Sequence, residues 1–131
     1  MSLMLEIVTP TGKVLTAEVN EVVAPGALGE FAVMANHRPG VILLGGGAVR
    51  FDGKNAGVVF VRGGVAEISP ERVLILADEA VTSENAASVN AAAILEKLAN
   101  DHAGREFVND ELQQHIETER RYAEALLAAV R

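Results

Sequence analysis

The chain contains no cysteine, and aromatic residues make up only 4% of it. The first absence excludes disulfides and thiolate metal sites and agrees with a reducing cytosol. The second leaves most of the packing to aliphatic side chains. No run of about 18 apolar residues occurs, so no membrane-spanning helix is expected. Met1-Ser2-Leu3 passes at once into strand-like sequence, and no signal peptide is expected either. Positive charge is also scarce: 11 Lys and Arg stand against 18 Asp and Glu, a net charge of −7. The acidic excess extends over both halves of the chain. It argues against nucleic acid as a partner and leaves no polybasic anchor for direct lipid insertion. What the chain does have is apolar content: half of its 131 residues are hydrophobic, enough for a modest core in one or two small units.

From Met4 to Val81 short runs of Val, Ile and Leu alternate with Gly, Pro, Asn and Asp, the texture of an all-β unit. Leu5 to Val8 leads into the turn Thr9-Pro10-Thr11-Gly12. Glu18 to Ala24 alternates polar with apolar. Val41 to Leu44 is a continuous apolar run, which reads as a strand buried on both faces and broken by Gly45-Gly46-Gly47. Asp52-Gly53-Lys54-Asn55, between Ala48–Phe51 and Val58–Arg62, is a strong hairpin signal. About ten short strands, mostly antiparallel, are expected to pack as two sheets face to face.

The texture changes at Thr82-Ser83-Glu84. Ser83 reads as an N-cap, with Glu84 in the first turn of an alanine-rich helix to about Asn100. Its apolar face is Ala87, Ala91, Ile94, Leu95 and Leu98, and Gly104 would stop it. A second helix begins near Asn109 or Asp110, where Asp110 and Gln113 fit a capping box. Its apolar line is Leu112, Ile116, Ala123, Leu126 or Leu127, and Val130, with a weak interval at Glu119. The expected architecture is therefore α+β: an antiparallel β-sandwich over residues 1–82, then a helical hairpin over 83–131. Alanine gives both helices high intrinsic propensity but small buried contacts, so the hairpin seam should be weak.

The residues offer little chemistry. Glu30, His37, Asp78 and Glu79 are the candidates for acid–base work, but no Ser or Cys nucleophile stands in a recognisable elbow. His37, His102 and His115 lack metal-ligand spacing, so neither a metal nor a catalytic centre is expected. Gly45-Gly46-Gly47 and Gly63-Gly64 lack the Lys-Ser/Thr and helix of a phosphate loop and read as turns.

One stretch, Gly26 to Gly40 (GALGEFAVMANHRPG), holds a short apolar strand between two turns. Glu30 stands beside the first turn and His37 beside the second, at what reads as one rim of the β unit. Its pattern, G-x-x-G-E-[apolar]-x-V-[apolar]-x-x-H-x-P, resembles the epsilon subunit of F-type ATP synthases. The opening LEIVTPTGKVL, the later VRGGVAEISPERVLILAD and the alanine-rich helical tail match that family in order and spacing.

The resemblance implies a non-catalytic subunit of the central stalk. It would lie on the cytoplasmic face of the bacterial inner membrane, peripheral through the complex. Its partners would be the gamma subunit, the membrane rotor ring and, when the helices extend, the catalytic alpha/beta hexamer. It implies a rotor-ring contact at Glu30, Asn36 and His37, with Arg38 standing where the family often has a small residue. It places Val41, Ile42, Leu43 and Leu44 against the gamma subunit. Arg120 and Arg121 would be the cations of a regulatory helix, although helical spacing equally lets them pair with Glu117 and Glu124. The ATP-binding motif of some relatives falls on Ala86 to Ala91. Ala87 replaces its aspartate and Asn90 its arginine, so neither ATP nor any other cofactor is expected to bind. The rival reading is a ligand-binding or adaptor sandwich unrelated to rotary motors. It would call for an aromatic-lined groove, whereas Phe31, Phe51, Phe60, Phe107 and Tyr122 are scattered.

Overall fold

Alternating apolar runs and turn residues generate eight strands in the computed structural model, which describes residues 2–102 and 110–130. They are β1 (Leu3–Thr9), β2 (Gly12–Val19), β3 (Glu21–Gly26), β4 (Gly29–Met34), β5 (Gly40–Asp52), β6 (Gly57–Ser69), β7 (Arg72–Ala77) and β8 (Ala80–Thr82). A short 3-10 segment (Ser83–Ser88) leads to α1 (Ala91–His102) and α2 (Asp110–Val130). The expected Gly104 stop lies outside the described residues.

The count is eight strands and not about ten because β5 and β6, at 13 residues each, absorb four runs that read as separate. Neither Gly45-Gly46-Gly47 nor Gly63-Gly64 is a turn. Both lie inside strands that pair continuously from Gly40↔Ile68 to Phe51↔Gly57, skipping only Gly45 and Gly63. At this point the two strands pass together from one sheet to the other. In β5 the core-facing side chains switch from Ile42 and Leu44 to Val49 and Phe51. In β6 they switch from Val59 and Val61 to Ala66 and Ile68. Such a roll-over needs backbone that L side chains avoid, and Gly47, Gly63 and Gly64 supply it with φ of 150°, 71° and 117°.

One layer is thus β2, β1, β7 and the halves of β6 and β5 at Gly64–Ser69 and Gly40–Leu44. The other is β8, the remaining halves of β6 and β5, then β3 and β4. Pairing is antiparallel except between β1 and β7, which run parallel. Leu5, Ile7, Val22, Val33, Val49, Val61 and Ile75 are wholly buried between the layers.

The helices begin differently from the sequence expectation. Ser83 opens the 3-10 segment, and no side chain caps it. The α-helix starts only after Asn90, whose Oδ1 accepts the Ala93 N–H at 3.1 Å in the manner of an N-cap. Ala91 is buried, Ile94, Leu95 and Leu98 are half-buried, and Ala87 is exposed within the 3-10 segment. Helix α2 lies on the outer side of the second layer, over β5 and β6, and α1 packs chiefly on α2. A second small core results, built from Phe60, Ala86, Ala91, Tyr122, Ala123 and Leu126.

Candidate interaction surfaces

The helices leave the outer side of the first layer bare. Strand register there aligns Val8, Leu76, Val65 and Leu43 in one row across four strands. The adjacent row is Glu6, Leu74, Glu67 and Val41. Val41 and Leu43 are 68% and 65% exposed, and Met4 and Leu76 add further apolar area. The Val41–Leu44 run is therefore not buried on both faces. Leu44 and Ile42 point into the sandwich core, while strand alternation turns Val41 and Leu43 outward, and the edge position of β5 here leaves them exposed. One side of this surface is charged: Glu6 accepts from Arg72 at 2.7 Å and pairs with Lys13 at 3.5 Å. These two cations and their hydrogen bonds hold the Glu6 carboxyl below its ordinary pKa, the Arg72 bond contributing most. An apolar strip bordered by ion pairs is the composition of a protein-contact surface.

A second surface follows β4. Glu30 pairs with Arg50 at 3.5 Å across the outer side of the second layer, next to the β3–β4 turn. At that turn Leu28 is 99% exposed, a position the sequence reading passed over. Asn36, His37 and Arg38 lie beyond the other end of β4. The strand from Glu30 to Met34 alone sets them apart by roughly 13 Å at strand rise, so the two turns do not share one rim. Asn36 takes φ of 67° and donates its backbone N–H to Pro70 O. The His37 Nδ1 lies 2.7 Å from Arg38 O; donation there leaves Nε2 as an acceptor.

A third surface, the seat of the helices, is already occupied. At the bend in β5 the α2 backbone comes so close that a Cβ on Gly46 would stand 2.0 Å from Thr118 O. Beside it Arg62 on β6 reaches Glu119 of α2 at 3.0 Å and Glu79 at 3.2 Å. Thus the apparent gap at Glu119 in the apolar line of α2 is where the helix is clamped. The next turn buries Tyr122 completely, with its hydroxyl lacking a hydrogen-bond partner among the described residues. Burial, reinforced by the Glu79 charge, pushes the Tyr122 pKa up to about 12. By sequence Tyr122 is one of five scattered aromatics. Its spacing of four from both Thr118 and Leu126 was the available signal that it shares their helix face.

Arg120 pairs with Glu117 on its own helix. Arg121 borders a groove of about 350 Å³ beside the glycine bend and forms no ion pair with Glu124 among the described residues. Among those residues there is no cluster of acidic groups and histidines that could hold a metal ion. Asp78 and Glu79 follow β7, remote from Glu30 and His37 on the β3–β5 side, so these four do not form one site. No described helix is long and apolar enough to cross a membrane.

A bent double sheet, bare on one face and carrying a helix pair on the other, is built to present surfaces and not a cleft. The β-sandwich domain of the ATP synthase delta/epsilon chain matches residues 2–83, and this chain belongs to that family. It is 51% identical over 79 residues to the ATP synthase epsilon chain of Maridesulfovibrio salexigens, an alignment covering 60% of this chain and 56% of that one. To the epsilon chain of Campylobacter concisus it is 40% identical over 108 residues, covering 76% of this chain and 84% of that one. The matched part thus spans little more than half of the first relative. Among solved structures, a chain of the Euglena gracilis mitochondrial ATP synthase OSCP/F1/c-ring assembly shares the fold. The TM-score is 0.71 at 20% identity, over 99% of this chain and 82% of that one. A chain of the Tetrahymena thermophila mitochondrial ATP synthase central stalk and c-ring does so with a TM-score of 0.64 at 9% identity, over 96% and 97%.

Proposed function

We propose that this chain is a non-catalytic central-stalk subunit that joins the gamma subunit to the membrane rotor ring, so that rotation and ion flow stay coupled. The observation that carries this reading is the bare apolar surface of β1, β7, β6 and β5, centred on Leu43. A folded chain does not gain by exposing Val41, Leu43, Met4 and Leu76 together, whereas a subunit that docks there removes them from water. The gamma subunit is assigned to this surface through Val41 and Leu43, with Ile42 and Leu44 supporting from the core. The rotor ring is assigned to the β4 side, where Glu30 and the fully exposed Leu28 stand at one end and Asn36, His37 and Arg38 at the other. The family membership and the central-stalk and c-ring assemblies that contain its structural neighbours support a place in the stalk, and the residue assignments are the proposal's own. In this reading the chain lies on the cytoplasmic side of the membrane, held there through the complex.

The helical pair over residues 83–131 is the regulatory part in this reading, acting on the alpha/beta hexamer when extended. Arg120 is already matched by Glu117, leaving Arg121 as the less engaged cation, so restraint of ATP hydrolysis through these residues is expected to be weak.

The test is binding of the gamma subunit from the same organism, followed by size-exclusion chromatography and titration. The wild-type chain should form a one-to-one complex. Leu43→Glu places an unpaired charge in the contact and should weaken it by about 100-fold or more, on the order of 3 kcal/mol. Arg120→Glu, on α2 and outside the rows that carry Val41 and Leu43, should leave it unchanged. Failure of the wild-type pair to associate at micromolar concentration would remove the reading.

A further inference from the structure

The edge at Gly40–Leu43 differs from the edges at β2 and β4, while β8, also uncharged, is only three residues long. β2, at the far side of the same layer, carries Lys13 and Glu18, and β4, at the edge of the other layer, carries Glu30. Charges of this kind keep a strand edge from pairing with foreign backbone. Residues 40–49 carry none. Among the described residues only β6 pairs with Gly40 to Leu43, since β3 meets β5 no earlier than Leu44.

The direction of the free backbone groups follows from one hydrogen bond. Leu43 O accepts the Ala27 N–H at 2.8 Å and therefore faces away from β6. In an antiparallel ladder, groups that face away recur every second residue. Val41 N–H and C=O thus point out of the sheet edge, into the space beside β5. The groove of about 450 Å³ lined by Pro39, Val41, Glu67, Arg72 and Leu74 lies over the outer face of β5, β6 and β7, next to this edge and not beyond it.

We propose that a partner is held here by strand addition: an extended, uncharged segment of about four residues from the gamma subunit pairs its backbone with Val41 and prolongs the first layer. This rests on the reading that the gamma subunit docks on this side, and it specifies backbone pairing as the mode of attachment. An edge left without charge, continuous with the bare apolar surface, is the chemistry such a segment requires. The neighbouring Leu43 C=O is already occupied by Ala27, which sets the length of the free edge and the register of the added strand.

Val41→Pro isolates the backbone term. Proline is tolerated where the missing N–H faces outward from an edge, so the sandwich should fold. The substitution removes the outward donor and puts the ring in the path of an incoming strand. Binding of the gamma subunit is expected to fall at least about 30-fold, the loss of roughly two backbone hydrogen bonds. Val41→Ala trims the side chain but keeps the backbone donor, so it measures the side-chain share of the loss and should bind at least about fivefold more tightly than Val41→Pro. Equal binding by wild type and Val41→Pro would overturn strand addition while leaving gamma docking intact. A wild-type chain that does not bind gamma at all would instead overturn the reading on which it rests. Amide exchange measured on the wild-type protein, free and in complex, decides the matter even if Val41→Pro fails to fold. The Val41 N–H should exchange quickly in the free chain and become protected on adding gamma. Protection already present in the free chain, through pairing with a second copy, or absent in the complex, contradicts the proposal.

Discussion

Gly46→Ala is expected to lift α2 off the sandwich while leaving the sandwich folded. The added methyl would stand 2.0 Å from Thr118 O and 2.9 Å from Tyr122 N. Both are helix backbone atoms, so no rotamer change relieves the overlap and the helix must retreat. Gly46 itself does not take a positive φ, and the β5 backbone accepts alanine there. The loss should be on the order of 2–4 kcal/mol of docking free energy, from overlap and from exposure of Tyr122 and Leu126. The chain contains one tyrosine and no tryptophan, so its fluorescence reports this site alone. Iodide should quench Tyr122 freely in Gly46→Ala and hardly at all in wild type. Gly45→Ala is the control, because its methyl would press on Gly26 O at 3.3 Å and not on α2. Gly64→Ala should instead damage the sandwich, since at φ of 117° its methyl would stand 2.0 Å from Leu76 O. A Tyr122 that stays shielded in Gly46→Ala would show that the glycine bend does not set the position of the helix.

Alkali is expected to undock the helices before it unfolds the sandwich. Tyr122 ionises near 12 when docked, against an ordinary value of 10.0. Between these values the docked tyrosine keeps a proton that an undocked one has lost. The docked state then binds more protons, and raising the pH disfavours it. The stabilisation is complete below pH 10 and disappears as the pH rises through 12, a range that corresponds to roughly 2–3 kcal/mol. The tyrosinate absorption band measures it directly: the midpoint should lie near 12 in wild type and near 10 in Gly46→Ala. Coincident midpoints at 10 would place Tyr122 in water in both proteins.

Much of the sandwich was legible because its evidence is local. The Thr9–Gly12 and Asp52–Asn55 turns, and the alternation in β1 and β7, depend on nearby residues and appear where the pattern puts them. The glycine groups were misread because a glycine triplet signals a turn locally. Only the pairing of β5 with β6 along their whole length shows it to be a roll-over between layers. Ser83 has the side chain of a cap, but the 3-10 segment delays the α-helix until Asn90, and that choice is made by the packing of Ala86 against α2. The Val41–Leu44 run reads as doubly buried because composition cannot tell a central strand from an edge strand awaiting a partner. The seat of the helices was least legible of all. Gly46, Arg62, Glu119 and Tyr122 are brought together by long-range packing, and no sequence spacing links the first two with the last two.

The absence of native cysteine permits one decisive measurement, the maleimide labelling rate of Leu43→Cys in the free chain and in the assembled ATP synthase. If the outer surface of β5 and its neighbours is the gamma seat, labelling is rapid in the free chain and slowed by at least about tenfold on assembly, as burial in a stable interface requires. A Leu43→Cys thiol that labels as fast in the assembled complex as in the free chain would contradict the central claim.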